Sequence, residues 1–186
     1  MTKVLGIAGS LRRGSYNAAL LRAATRLMPP DATLEVASIR GIPLYDGDVE
    51  AQGIPASVAQ LKEAIVAADG VLLVTPEYNN SIPGVLKNTI DWLSRPASDI
   101  KRVFGGRPFA LIGASPGPFG TVLSQAAWLP VLRTLGTLAW FGGRVAVPRA
   151  ANAFDEAGAF KDAGLEEHLR QFLAGYVGFI RRPAGS

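Results

Sequence analysis

The stretch Gly9-Ser-Leu-Arg-Arg-Gly-Ser-Tyr-Asn17 gathers hydroxyls at Ser10 and Ser15, an amide at Asn17 and a guanidinium at Arg12. Such groups, beside the N–H groups that open a helix, form a cradle for one phosphate. Lys3, Arg12, Arg13, Arg22 and Arg26 all lie between Met1 and Pro30, and no Asp or Glu stands among them. This end of the chain therefore attracts anions. The spacing Gly9-x-x-x-x-Gly14 imitates a Walker loop, but Ser15-Tyr16 occupies the place of Lys-Ser or Lys-Thr. No lysine then reaches a terminal phosphate and no hydroxyl is set for magnesium, which argues against a nucleotide triphosphatase. The dinucleotide pattern G-x-G-x-x-G is missing too, since Gly6 and Gly9 are three apart. The plainer reading is a turn whose Ser and Asn only cap a helix.

Two further loops invite chemistry. Pro76-Glu-Tyr-Asn-Asn-Ser-Ile-Pro-Gly84 is dense in polar groups where a short turn would suffice. Tyr78 can cover the face of a planar ring while the Pro-bounded backbone addresses the heteroatoms at its edge. The competing reading makes Asn79 and Asn80 left-handed turn residues and Ser81 a helix cap. Gly113-Ala-Ser-Pro-Gly117 matches the hydrolase pattern G-x-S-x-G. That elbow takes an oxyanion donor from the residue after serine, and Pro116 has no N–H. The single histidine, His168, stands among Glu166, Glu167 and Arg170, as on a solvated helix face. A catalytic triad is not credible, and Ser115 and Gly117 read as small residues that let a flat ligand approach.

The elements that hold these loops follow from periodicity. Short apolar runs at 3–8, 34–39, 70–75, 109–113 and 138–147 alternate with helical spacing at 20–28, 58–68, 85–93, 120–135 and 165–177. Alternation of this kind gives a mostly parallel sheet with helices on both faces. Five strands are too few for a barrel. The expected fold is an α/β, doubly wound sheet in the order 2-1-3-4-5, with its ligand at the C-terminal ends of strands 1, 3 and 4, where all three loops lie. One domain is expected over 1–186, with a frayed tail at 181–186. With 48% hydrophobic and 18% charged residues the chain is too apolar for a disordered protein and too evenly patterned for a membrane protein. No apolar run approaches the roughly 20 residues of a membrane span, and no signal-peptide block follows Met1, so cytoplasm is the expected location. Without cysteine there is no disulfide, thiolate or Cys-held metal site. The net charge of +4 comes without a basic run or aromatic-interleaved stripe, so small anions suit it better than nucleic acid.

The loops together resemble the NADPH-dependent FMN reductase family, and within it the bacterial NAD(P)H-dependent quinone and chromate reductases. The likeness rests on G-S-L-R-x-G-S-Y-N at 9–17, R-G-I-P-L-Y-D-G-D at 40–48, P-E-Y-N-x-S-I-P-G-V-L-K-N-x-I-D-W at 76–92, G-A-S-P-G at 113–117 and A-F-D-E-x-G at 153–158. It implies a flavodoxin-like fold with FMN phosphate on Ser10, Arg12, Ser15, Tyr16 and Asn17. The isoalloxazine would lie against Pro76, Glu77, Tyr78, Asn79 and Ser81, with further contacts from Ser115 and Gly117. A homodimer or homotetramer is implied, with 83–92 at the subunit contact. The chain departs from the group after Gly120-Thr121, where relatives carry Arg, Tyr and Arg and this sequence has Leu123, Ala126 and Leu129. Pro130 is expected to kink that helix. Trp92, Trp128 and Trp140 read as core or interface residues.

The implied activity is hydride transfer from NADPH or NADH to flavin N5, then electron delivery to a quinone, free flavin, azo compound or chromate-like oxyanion. The cofactor carries this chemistry, so no catalytic side chain is assigned. Arg12, Arg13 and Arg22 are candidates for attracting the anionic nicotinamide nucleotide. The alternative is a flavodoxin-type electron carrier with no small-molecule substrate; such carriers are usually acidic, and this chain is basic.

Overall fold

The computed structural model describes residues 1–155 and 158–182. Its elements alternate along the chain as β1 (Thr2–Ala8), α1 (Tyr16–Leu27), β2 (Ala32–Ala37), α2 (Gly47–Gln52), α3 (Ala56–Val66), β3 (Gly70–Val74) and α4 (Gly84–Leu93). These lead into α5 (Ile100–Val103), β4 (Pro108–Ala114), α6 (Val122–Thr134), β5 (Leu138–Ala139), β6 (Val145–Val147), α7 (Ala150–Ala153) and α8 (Ala163–Ile180). Every strand pairing is parallel, and the order is β2-β1-β3-β4-β5 with β6 also on β4. This is the expected doubly wound order, which reverses between β1 and β3 and opens a crevice there.

β3 shows why the order is stable. Its period-two side chains point alternately to two apolar layers, so a strand buried on both faces reads as a continuous apolar run. Leu72 and Val74 pack with Leu20, Leu21 and Ala24 of α1 and Leu169, Phe172 and Tyr176 of α8. Val71 and Leu73 pack on the opposite face with Ile65 of α3, Ile90 and Leu93 of α4 and Trp128 of α6. All four strand side chains are fully buried, each contributing about 1.5–3 kcal/mol of transfer energy. Trp92 and Trp128 are also fully buried, in the second layer.

The fifth strand departs from expectation. The run at 138–147 is not continuous: β5 and β6 both pair with β4, and Trp140 to Arg144 bulge out between them. Trp140 turns its ring to α8, 4.8 Å from Phe172 and edge-on. Gly142 passes so close that an added Cβ would sit 2.6 Å from the Trp140 ring. His168 Nε2 lies 2.6 Å from the Arg144 carbonyl and ties the bulge to α8. An apolar run alone cannot reveal such a bulge, because its residues are as apolar as strand residues. α6 continues through Pro130 to Thr134, one ladder bond short rather than broken. Arg181 bonds Thr2 and Asp31; residues 183–186 of the expected tail lie outside the described residues, as do Glu156 and Ala157 of the 153–158 motif.

Away from the crevice, the buried Lys62 ammonium donates to Asp99 at 2.8 Å and to the Arg95 carbonyl. Lys62, with Arg102 beyond it, holds the Asp99 carboxyl below its ordinary value. The stabilisation from a lowered carboxyl is present above its unfolded pKa, about 4, and is lost as pH falls through the folded value. Asp99→Asn should therefore lower stability at pH 7 and flatten the decline below pH 4. Urea midpoints measured from pH 2 to pH 7 check this, and parallel curves for both proteins would refute it.

Candidate functional site

The N-terminus of α1 points into the crevice. Ser15 caps it, accepting from the Ala18 N–H at 3.2 Å. Tyr16 and Asn17 are the first and second helical residues, whose N–H groups have no carbonyl one turn back to donate to. The first turn carries no acid. The Arg12 guanidinium donates to the Gly14 carbonyl at 3.0 Å and lies 5.2 Å above the Tyr16 ring, which holds its charge over the same turn. Ser10 Oγ accepts weakly from the Arg12 N–H at 3.4 Å. A cap, two open N–H groups and a held cation make an anion cradle.

Asn17 does something its type did not announce. Its side chain is buried, and its Nδ2 donates to the Ala114 carbonyl at 2.8 Å while its Oδ1 accepts from the Ala114 N–H at 2.9 Å. These two bonds staple α1 to the end of β4, and Asn17, whose second Nδ2–H lies outside them, also lines the cleft described below.

The second loop is a two-residue hairpin. Tyr78 and Ser81 exchange both backbone hydrogen bonds, at 3.2 and 3.0 Å. Asn79 and Asn80 have φ of 51° and 59°, the left-handed pair that a type I′ turn requires. Ser81 does not cap α4, whose N-cap is Pro83 and which has no side-chain cap. Glu77 lines the cleft and is also tied to α6. Its carboxylate accepts from the Leu123 and Ser124 N–H groups, both at 2.9 Å, and so caps α6, whose own N-cap Thr121 makes no side-chain cap bond. Replacing Glu77 by alanine is expected to cost about 1–2 kcal/mol through the lost cap and charge–dipole attraction. Thermal melts check this; an unchanged midpoint would show that the carboxylate is not engaged.

In the third loop, Ser115 Oγ donates to the Gly120 carbonyl at 2.5 Å. Its N–H donates to the Val147 carbonyl, so the serine is a buried structural pin and not a nucleophile. Gly117 has no left-handed φ, and an added Cβ would meet only Ser115 Oγ, at 3.6 Å. Nothing within the protein demands glycine there.

All three loops line one cleft of about 160 Å³, walled by Ser10, Arg12, Ser15, Tyr16, Asn17, Pro76, Glu77, Tyr78, Ala114, Ser115 and Pro116. Ala114 and Pro116 are lining residues that the sequence did not single out. Asn79, Ser81 and Gly117 are outside this lining, at its edges. Arg13 and Arg22 are exposed and do not reach it. Among the described residues no group of His, Cys, Asp and Glu could hold a metal ion, and no helix is long and apolar enough to cross a membrane.

A doubly wound parallel sheet with an anion cradle and an aromatic rim at its switch point defines a mononucleotide-binding α/β protein. The NADPH-dependent FMN reductase family model matches residues 2–152, and the chain belongs to that family. It is 46% identical to an NAD(P)H-dependent FMN reductase of Pseudomonas aeruginosa, over 98% of this chain and 97% of that one. It is 36% identical to a 2-hydroxy-1,4-benzoquinone reductase of a Burkholderia species, over 96% of each. Among solved structures, FerB of Paracoccus denitrificans, a flavoenzyme NAD(P)H:(acceptor) oxidoreductase, superposes with a TM-score of 0.87 at 34% identity, covering 97% of each chain. The protein is an oxidoreductase that works with FMN and a reduced nicotinamide nucleotide, with a small molecule as acceptor.

Proposed function

We propose that the three-loop cleft holds FMN and that the enzyme reduces quinones at the expense of NADPH or NADH. The observation that carries this is the convergence of an acid-free helix N-terminus, Arg12 and the half-exposed Tyr78 on one cleft. About 160 Å³ has room for a phosphate and a short polyol but not for three fused rings. The Ser10, Arg12, Ser15 and Tyr16 cradle would therefore take the phosphate, and Pro76, Tyr78, Asn79 and Ser81 would border the ring at the open rim. Gly117, unexplained by φ or packing, leaves the ring's other side uncrowded. Glu77 and Asn17 line the cleft, and each also pins one of its loops to a neighbouring element.

FMN, when bound, accepts hydride equivalents from a reduced nicotinamide and passes electrons to an acceptor. The protein's own part is to fix the phosphate, hold the hairpin rigid and leave Tyr78 beside the open face. A quinone acceptor draws support from the benzoquinone reductase relative, with flavins, azo compounds and chromate-like ions as further acceptors. We place this activity in one cytoplasmic domain spanning 1–186. A homodimer or homotetramer contacting through α4 draws support from Leu44, Tyr45 and Val85, apolar and exposed around that helix.

The test is a visible spectrum of the purified protein followed by anaerobic NADPH. Flavin bands that bleach and return on adding a benzoquinone are expected. Bound flavin left oxidised by NADPH and NADH would favour an electron carrier, and failure to bind added FMN would overturn the reading.

A further inference from the structure

A second cavity, of about 470 Å³, shares no residue with the flavin cleft. It lies where the fifth strand is interrupted, between the outer face of α6 and the Trp140–Arg144 bulge. Phe109, Leu111, Leu129, Trp140 and Phe141 make its walls apolar and largely aromatic. Its volume falls in the range of small-molecule sites.

Two polar groups break this lining. Gln125 is 8% exposed, and its Nε2 donates to Thr121 Oγ1 at 3.1 Å and to the Val145 carbonyl at 2.9 Å. The carbonyl of Val145 accepts only, so it fixes which end of the amide is nitrogen. Both N–H groups are thus used, and Oε1 accepts from no described group. Every sealed side-chain nitrogen or oxygen among the described residues has a partner. Gln125 Oε1, which has none, is therefore not sealed, and its residue lines the cavity. Arg144 supplies the second group: its carbonyl accepts from α8, but its guanidinium makes no bond or ion pair among the described residues.

We propose that this cavity is a binding site for a hydroxy- or amino-substituted two-ring aromatic carboxylate, separate from the flavin cleft. The rings match the apolar lining, in which Phe141 and Leu129 are the most exposed side chains, and the volume exceeds what one ring fills. The hydroxyl or amine donates to Gln125 Oε1, and the carboxylate pairs with Arg144. An acceptor held in a nearly sealed place favours a ligand that donates, because the bare oxygen forgoes a hydrogen bond.

Calorimetric titration of the FMN-loaded full chain with 6-hydroxy-2-naphthoate tests this, with 2-naphthoate and 2-naphthol as analogues lacking the donor and the anion. Each analogue is expected to bind about tenfold more weakly than the parent. Arg144→Ala should erase the advantage of the parent over 2-naphthol. Ala126→Trp, which fills the cavity from the exposed face of α6, should weaken all three by more than about tenfold while leaving FMN content and NADPH bleaching unchanged. No binding of the parent at about 1 mM, or binding indifferent to Ala126→Trp, would overturn the site. So would a change of sedimenting mass on Ala126→Trp, which would show a second copy covering the cavity.

Discussion

Replacing Asn17 by alanine is expected to destabilise the protein by about 2–5 kcal/mol and to weaken FMN binding with it. Among the described residues the side-chain amide is the only partner on that side for both the N–H and the carbonyl of buried Ala114. Alanine leaves two sealed backbone groups unpaired, and each costs about 1–3 kcal/mol because no water reaches them. The same amide aligns the N-terminus of α1 with the end of β4, so its loss lets the cradle drift relative to the third loop. Asn17→Asp separates the two effects. Aspartate keeps the acceptor for the Ala114 N–H but sets a carboxylate against the Ala114 carbonyl, under a site built for an anion. Its loss of FMN affinity should therefore exceed that of Asn17→Ala, although it retains one of the two bonds. Urea unfolding of the apo-protein, paired with FMN titration, reads both quantities. An alanine variant within about 0.5 kcal/mol of wild type would show that the staple carries no weight.

The staple also shows where the sequence stops being legible. Periodicity placed the first four strands and the helices that flank them, because a two-faced strand such as Val71–Val74 and an amphipathic helix such as α1 each leave a local repeat; the strand order came from the rules for alternating β and α elements. The crevice followed from topology, and the three loops from being at strand ends. Which side chains would face a ligand and which would hold the crevice together was not legible. Asn17 pairs with a residue 97 positions away, and Glu77 reaches 46 positions along to cap α6. A long-range bond leaves no mark on its own neighbourhood. Nor did α6 announce its need: Thr121 is of a type that caps helices, and only the structure shows its side chain making no cap bond there. The bulge at Trp140–Arg144 escaped for a related reason. Trp140 leaves the sheet for α8, and only the Gly142-Gly143 pair, needed for close passage against the Trp140 and Phe172 rings, hints at it.

Arg12 should be the largest single contributor to FMN affinity. Its guanidinium is already positioned, by the Gly14 carbonyl on one side and the Tyr16 ring on another, so little side-chain freedom remains to be lost on binding. A charge-assisted bond of this kind contributes about 1.5–3 kcal/mol, and Arg12→Ala should raise the Kd for FMN by roughly 10- to 150-fold. Arg12→Lys restores the charge but neither the planar fork nor the stacking, so it should recover only part of the loss. Arg12→Glu should be worse than alanine, since it brings a carboxylate to the helix end that the phosphate is to occupy. Riboflavin distinguishes a phosphate role from a general one. It has the ring and the polyol without the dianion, so its weaker binding should be nearly the same in wild type and Arg12→Ala. If both flavins lose affinity equally, Arg12 supports the loop and not the phosphate. If neither does, the phosphate is held elsewhere and the cradle at α1 is only a capped turn. Arg13→Ala provides the matching control, because Arg13 is exposed and outside the cleft lining; its effect should be small and should vanish as added salt screens it.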